Sequence, residues 1–161
     1  MRLAWQRLES RNGHEAGRQL LAELYRAETG QDLPEIAVTV QGKPYFPNSP
    51  WHFSISHTKT AVFCALSDRP VGIDAETTDR NIDLTLAERI LSPSERQRYE
   101  DAPDKRKALL RLWVLKEAAA KFTGEGLRGY PKSFVNILIP ERNPVPVLLP
   151  LLLVNIHPNQ T

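Results

Sequence analysis

Val71-Gly72-Ile73-Asp74-Ala75-Glu76 alternates apolar side chains with a glycine and two carboxylates. In an extended strand successive side chains face opposite sides, so Val71, Ile73 and Ala75 are expected to line a core while Gly72, Asp74 and Glu76 face the other way. Asp74 and Glu76 then stand about 7 Å apart on one side. Carboxylates that close repel each other unless a cation or a basic partner lies between them, and oxygen-only ligation with open positions suits Mg²⁺ when it also grips a phosphate. Gly72 leaves backbone room beside the pair. Thr77, Thr78, Asp79, Arg80 and Asn81 follow as polar turn formers. Taken alone, the hexapeptide is also accounted for by a half-buried strand that ends in an acidic turn.

Downstream, Trp113-Val114-Leu115-Lys116-Glu117-Ala118-Ala119-Ala120-Lys121 has a helical signature. Trp113, Glu117 and Lys121 fall on one stripe, with Lys116 and Ala120 beside it. Leu109, Leu110, Leu112, Val114 and Leu115 supply the buried side, and Ala118 to Ala120 are strong helix formers that allow a neighbour to approach closely. In isolation, a solvated Glu117 to Lys121 pair explains these two charges equally well.

The two segments together, a strand of pattern G-[IV]-D-x-E and a helix of pattern W-x-x-K-E-[AS]-x-x-K, resemble the paired signature of the 4'-phosphopantetheinyl transferase superfamily. Gly42-Lys43-Pro44 is similar to the family's G-K-P element, Phe53-Ser54-Ile55-Ser56-His57 to its F-[NS]-[IL]-S-H strand, and Leu91-Ser92-Pro93-Ser94-Glu95 to its F-S-x-x-E turn. Gly124-Glu125-Gly126-Leu127 stands where the family has a glycine-rich loop before a strand, here Ser133 to Ile139. The similarity runs from about Arg18 to about Ile139.

This resemblance implies transfer of the 4'-phosphopantetheine arm of coenzyme A to a serine hydroxyl of an acyl or peptidyl carrier protein, releasing adenosine 3',5'-bisphosphate, as in a holo-[acyl-carrier-protein] synthase. It implies Mg²⁺ as cofactor, neutralising phosphate oxygens and polarising phosphorus, with Asp74, Glu76 and Glu117 as its ligands. Glu95 and Glu117 are both candidates for the general base that takes the serine proton. Glu95 has a structural reading too, because Ser92-Pro93-Ser94-Glu95 is a capping box with Ser92 as N-cap. Lys121, together with Lys116, would neutralise the leaving phosphate. The resemblance also carries Ser56 and His57 to the coenzyme A phosphates, Lys43 and Pro44 to its adenine and phosphate end, and Arg18 to the neighbourhood of its 3'-phosphate. From local sequence, His57 is also explained as a structural histidine.

Composition agrees with a compact globular protein: of 161 residues 41% are hydrophobic and 25% charged, and the formal net charge is only +2. Bulk charge therefore selects no partner. The basic run Lys105, Arg106, Lys107 and Arg111 could meet an acidic carrier protein or form a solvated helix face; nucleic-acid binding would call for a larger surface interleaved with aromatics. Cys64, the single cysteine, lies in an apolar run and points to packing in a reducing, cytoplasmic setting. Met1 to Glu15 lacks the apolar core of a signal peptide. Val145 to Val154 is apolar, but its prolines, Pro146 and Pro150, rule out a membrane-spanning helix; an edge strand or a homo-oligomer contact is expected there.

Periodicity predicts helices near His14–Thr29, Leu84–Leu91, Pro93–Glu100 and Lys105–Phe122. Strands are predicted near Ile36–Val40, Trp51–Ser56, Ala61–Leu66, Val71–Asp74 and Phe134–Ile139, the middle ones antiparallel. The expected class is α+β, one transferase domain over residues 1–161 with two small α/β lobes at about 1–70 and 71–161. Asp74 lies mid-chain, which is similar to a shortened member of the family's larger class, the one that activates polyketide and peptide synthetases, with its N-terminal lobe abbreviated and its first strands absent. The alternative function is a catalytically inert homologue that binds only coenzyme A or a carrier protein.

Overall fold

The computed structural model describes residues 1–8 and 12–124. Its elements are β1 (Arg2–Arg7), α1 (Gly13–Thr29), β2 (Ala37–Val38), β3 (Pro44–Tyr45), β4 (His52–His57), β5 (Ala61–Ser67), α2 (Leu86–Ile90), α3 (Pro93–Glu100) and α4 (Lys105–Thr123). Helices combined with antiparallel sheet make this an α+β fold.

β5 is the centre of a three-stranded antiparallel sheet in the order β1-β5-β4, and β2 and β3 form a separate two-stranded ribbon. All residues of β5 are buried because both of its faces are covered. Val62, Cys64 and Leu66 face α1 and share a core with Leu20, Leu21, Tyr25, Phe46 and Phe53. Ala61, Phe63 and Ala65, on the opposite face, pack against Val71, Ile73 and Ala75. This two-sided burial is why Ala61 to Leu66 reads as an unbroken apolar run rather than an alternating one. Burial also pushes the Cys64 thiol up to about 12, so it is a packing residue rather than a nucleophile. A third core, of Ile82, Ala87, Ile90, Tyr99, Leu109 and Leu110, joins α2 and α3 to α4.

The structure corrects two sequence expectations within the described residues. Arg2–Arg7 forms a strand, paired along its length with β5 from Arg2 opposite Leu66 to Arg7 opposite Ala61. Leu3 and Trp5 share one face of it, but that apolar face is only two residues long within arginine-bounded ends, and pairing with β5 makes it a strand. Conversely, residues 71–76 have no place in a backbone ladder. The segment lies across the sheet face, where its N–H groups find side chains instead: Ile73 N donates to Ser54 Oγ at 3.0 Å and Ala75 N to Ser56 Oγ at 3.1 Å. The expected alternation survives, with Val71, Ile73 and Ala75 buried against the sheet. The helix α3 matches its expected bounds, and α1, α4, β4 and β5 lie within a residue of theirs at each end. The expected strand at Phe134–Ile139 and the apolar stretch Val145–Val154 lie outside the described residues.

The basic run is absorbed by the fold. Lys105 Nζ donates to Tyr99 O at 2.9 Å, Arg106 donates to Thr78 O at 2.7 Å and Arg80 O at 3.3 Å, and Lys107 pairs with Asp104 at 3.5 Å. Lys107 and Arg111 are the exposed members of the run. Among the described residues no helix is long and apolar enough to cross a membrane.

Gly72 is where the crossing segment meets α4. A Cβ there would stand 2.2 Å from Ala118 O and 2.5 Å from Phe122 N, both backbone atoms of a helix that cannot yield locally. The Gly72→Ala variant is expected to lose about 3 kcal/mol of stability, measured by urea unfolding; a loss below about 1 kcal/mol would show that helix and segment are not locked together.

Candidate active site

A cavity of about 700 Å³ opens between α1, the β2–β3 ribbon, β4, the crossing segment and α4. Arg18, Lys43, Pro44, Ser56, His57, Asp74, Glu76, Glu117 and Lys121 all line it. Residues up to 103 positions apart in the chain, Arg18 and Lys121, thus share one wall-to-wall site. Ser56 and Asp74 form its buried floor, while Arg18, Pro44 and His57 are exposed at its mouth.

The floor is a tight polar network. Ser56 Oγ accepts from Ala75 N and donates to Asp74 Oδ1 at 2.8 Å; Lys121 Nζ donates to the same Oδ1 at 2.7 Å. Asp74 is thereby buried with its charge both paired and hydrogen-bonded, as a buried carboxylate requires. Glu76 is ion-paired with Arg80, and Thr77 N donates to its Oε1 at 3.1 Å. Burial pushes the half-buried Glu117 carboxyl above the usual carboxylate range, and the negative charge of Asp74 pushes it further; the charges of Lys121 and Arg80 oppose this only in part.

At the other end, Lys43 Nζ donates to Phe122 O, and its stem lies against Gly124. Burial lowers the proton affinity of this lysine. The ring of His57 sits over Gly13, where a Cβ would fall 2.6 Å from its Cγ, and meets the edge of His14 with 5.1 Å between ring centroids. His14, Trp113 and Arg80 line the cavity without having been singled out as site residues from sequence. For His14 a signal existed: it precedes Arg18 by one helical turn, so both present one face of α1.

Glu95 and Lys116 stand apart from the cavity and meet each other. Lys116, among the most buried side chains, has its Nζ 2.9 Å from Glu95 Oε2, a charge contact poorly aligned for a hydrogen bond. The capping box expected at Ser92 is present: Glu95 N donates to Ser92 Oγ at 3.3 Å and Ser92 N to Glu95 Oε2 at 2.7 Å. Burial pushes the Glu95 carboxyl up, but Lys116 and the Ser92 N–H together outweigh it and hold the group below the usual range. The same carboxylate thus caps α3 and neutralises a buried ammonium on α4. Lys116 is turned away because it falls beside, not on, the stripe of Trp113, Glu117 and Lys121, on the side that faces α3.

As a donor set, Asp74, Glu76 and Glu117 suit a hard divalent cation: all are carboxylates and all face one cavity. Mutual repulsion also raises the proton affinity of Glu117, which a cation would relieve. Among the described residues, however, no three such groups converge closely enough to hold an ion. Lys121 and Arg80 take the cation's place beside Asp74 and Glu76.

Comparison with known proteins agrees with this architecture. The profile of the 4'-phosphopantetheinyl transferase superfamily matches residues 70–151, just over half of the chain. The chain is 37% identical over 120 residues to the 4'-phosphopantetheinyl transferase psf-1 of Bacillus pumilus, covering 73% of this chain and 50% of that protein. It is 35% identical over 127 residues to the 4'-phosphopantetheinyl transferase Sfp of Bacillus subtilis, covering 74% and 54%, and 33% identical over 129 residues to the 4'-phosphopantetheinyl transferase HetI of a Nostoc species, covering 74% and 54%. The chain belongs to the 4'-phosphopantetheinyl transferase superfamily. Within it, the chain is similar to a shortened member of the Sfp type and spans about half the length of these relatives.

The Glu95–Lys116 pair has a measurable signature. Glu95→Gln leaves a buried ammonium without its counter-charge and is expected to cost about 3 kcal/mol near neutral pH. Adding Lys116→Met to it should recover most of that loss. Because the folded-state carboxyl of Glu95 is depressed, its contribution is present above the unfolded-state value of about 4.3 and disappears as pH falls through the lower folded-state value. The wild-type advantage over Glu95→Gln in urea midpoint should therefore be full at neutral pH and shrink in acid; a gap independent of pH would contradict the pairing.

Proposed function

We propose that this protein transfers the 4'-phosphopantetheine arm of coenzyme A to a serine hydroxyl of an acyl or peptidyl carrier protein, releasing adenosine 3',5'-bisphosphate. The observation that carries the reading is the convergence of Asp74, Glu76, Glu117 and Lys121 with Lys43, His57 and Arg18 on one cavity. Carboxylates at one end and cations at the other suit a ligand with a diphosphate and a further phosphate.

Asp74, Glu76 and Glu117 would hold Mg²⁺, which when bound neutralises phosphate oxygens and polarises phosphorus. Lys121 is in reach of the same region and is suited to balance charge on the departing phosphate. Lys43, His57 and Arg18, joined by His14, offer the positive and hydrogen-bonding groups for the coenzyme's anionic end. Of the two carboxylates considered as proton acceptor, Glu117 faces the cavity and Glu95 does not. Its place on the cavity, rather than a basicity that a bound cation would lower, favours Glu117 as the base for the serine hydroxyl. A cytoplasmic location, where coenzyme A and carrier proteins meet, belongs to the same reading, as does assembly with a second copy of the chain.

Intact-mass measurement of an apo carrier protein incubated with the full chain, coenzyme A and Mg²⁺ tests the proposal. Gain of one phosphopantetheine is expected with the wild type, and none with Glu117→Gln. Lys121→Ala should lower kcat by about 100-fold or more while changing the KM for coenzyme A far less. Coenzyme A binding without mass gain on any of several carriers would favour the second reading, a coenzyme-binding homologue without transferase activity.

A further inference from the structure

Arg80 has no part in the reading above, yet it lines the cavity and its guanidinium is ion-paired with Glu76. Its placement is built into the fold. Arg80 N donates to Thr77 O at 3.1 Å, closing a turn directly after the crossing segment. Arg106 of α4 then grips that turn from below, donating to the carbonyls of Thr78 at 2.7 Å and of Arg80 itself at 3.3 Å. The backbone of residue 80 is thus pinned, while its side chain, 45% exposed, remains free to swing about that anchor.

With Lys121 on Asp74 and Arg80 on Glu76, two of the three carboxylates are already matched by basic side chains. A divalent cation arriving alone must displace both basic groups, with no anion to receive them, and turns a cluster of three carboxylates and two cations from net negative to net positive. A diphosphate arriving with the cation supplies what is missing: Lys121 and Arg80 move from carboxylate to phosphate oxygen, and the carboxylates are left for the metal. Arginine suits this exchange because its planar fork matches carboxylate and phosphate alike.

We propose that Arg80 is a further residue of the diphosphate site, an exchangeable counter-ion that pairs with Glu76 and passes to the diphosphate when ligand binds, so that divalent cation and diphosphate enter together. The inference rests on the transferase reading for the identity of the ligand. Cation and diphosphate are then positively coupled, each raising the affinity for the other by the same factor. No group is transferred and no bond is broken in this step.

The test uses the full chain with Mn²⁺ as a paramagnetic probe, titrated with and without coenzyme A and in the absence of any carrier protein, so that nothing turns over. For the wild type, coenzyme A should raise Mn²⁺ affinity by at least about fivefold. In Arg80→Gln, Mn²⁺ alone should bind about three- to fivefold tighter, because an exposed ion pair no longer competes for Glu76. Coenzyme A should bind more weakly to this variant, and the coupling factor should fall. Arg80→Lys, which keeps the charge, should behave nearer to wild type. If Arg80→Gln binds Mn²⁺ alone no tighter and keeps the full coupling, the exchange is overturned while the transferase reading stands. If the wild type binds no coenzyme A even with Mn²⁺ present, the transferase reading itself fails and takes this inference with it.

Discussion

Two serine hydroxyls on β4 hold the site together. Among the described residues the crossing segment has no ladder partner, and buried N–H groups are costly to leave unsatisfied, by about 1–3 kcal/mol each; Ser54 and Ser56 accept from Ile73 N and Ala75 N. Ser56 uses the same oxygen to donate to Asp74, so one hydroxyl fixes both the backbone and the carboxylate. Because the segment is also pressed against α4 at Gly72, its position sets the distance from Asp74 to Lys121 and brings Glu117 to the same wall. A wider residue at 72 would move the two halves of the site apart.

This arrangement explains how a chain of modest size builds a site from distant pieces. The sheet and α1 bury one core, and α2 to α4 bury another. The crossing segment lies between sheet and α4, buried on its apolar side and polar toward the cavity. Cations from α1 and the β2–β3 ribbon close the mouth. Lys43 also bridges the ribbon to the C-terminal end of α4 through Phe122 O, a favourable place for a positive charge. That bridge ties the mouth of the cavity to the helix that carries Glu117 and Lys121.

Charge is distributed with little left over. Asp74 is matched by Lys121, Glu76 by Arg80 and Glu95 by Lys116, and the first two matches differ in consequence from the third. The first two lie on the cavity and can exchange partners. The third is buried outside it, where a charge without its partner is penalised strongly, and so serves to lock α3 against α4. Glu117 has its proton affinity raised by burial and by the charge of Asp74.

The sequence by itself determined most of the local structure and pointed to many of the residues that line the cavity, though not to His14, Trp113 or Arg80, and it included Glu95 and Lys116, which stand apart from it. Alternation in residues 71–76, the capping box at Ser92 and the stripe of Trp113, Glu117 and Lys121 are short-range patterns, and short-range sterics and hydrogen bonding suffice to produce them. Only the tertiary structure decided which neighbouring residue belongs to which network. Lys116 and Lys121 are indistinguishable as lysines on one helix, yet the packing of α3 takes the first and the crossing segment the second. The strand Arg2–Arg7 exists because β5 offers an edge, and among the described residues the segment 71–76 joins no ladder and instead lies over a sheet face. Those outcomes depend on which surfaces meet at long range, and no local pattern of residues encodes that.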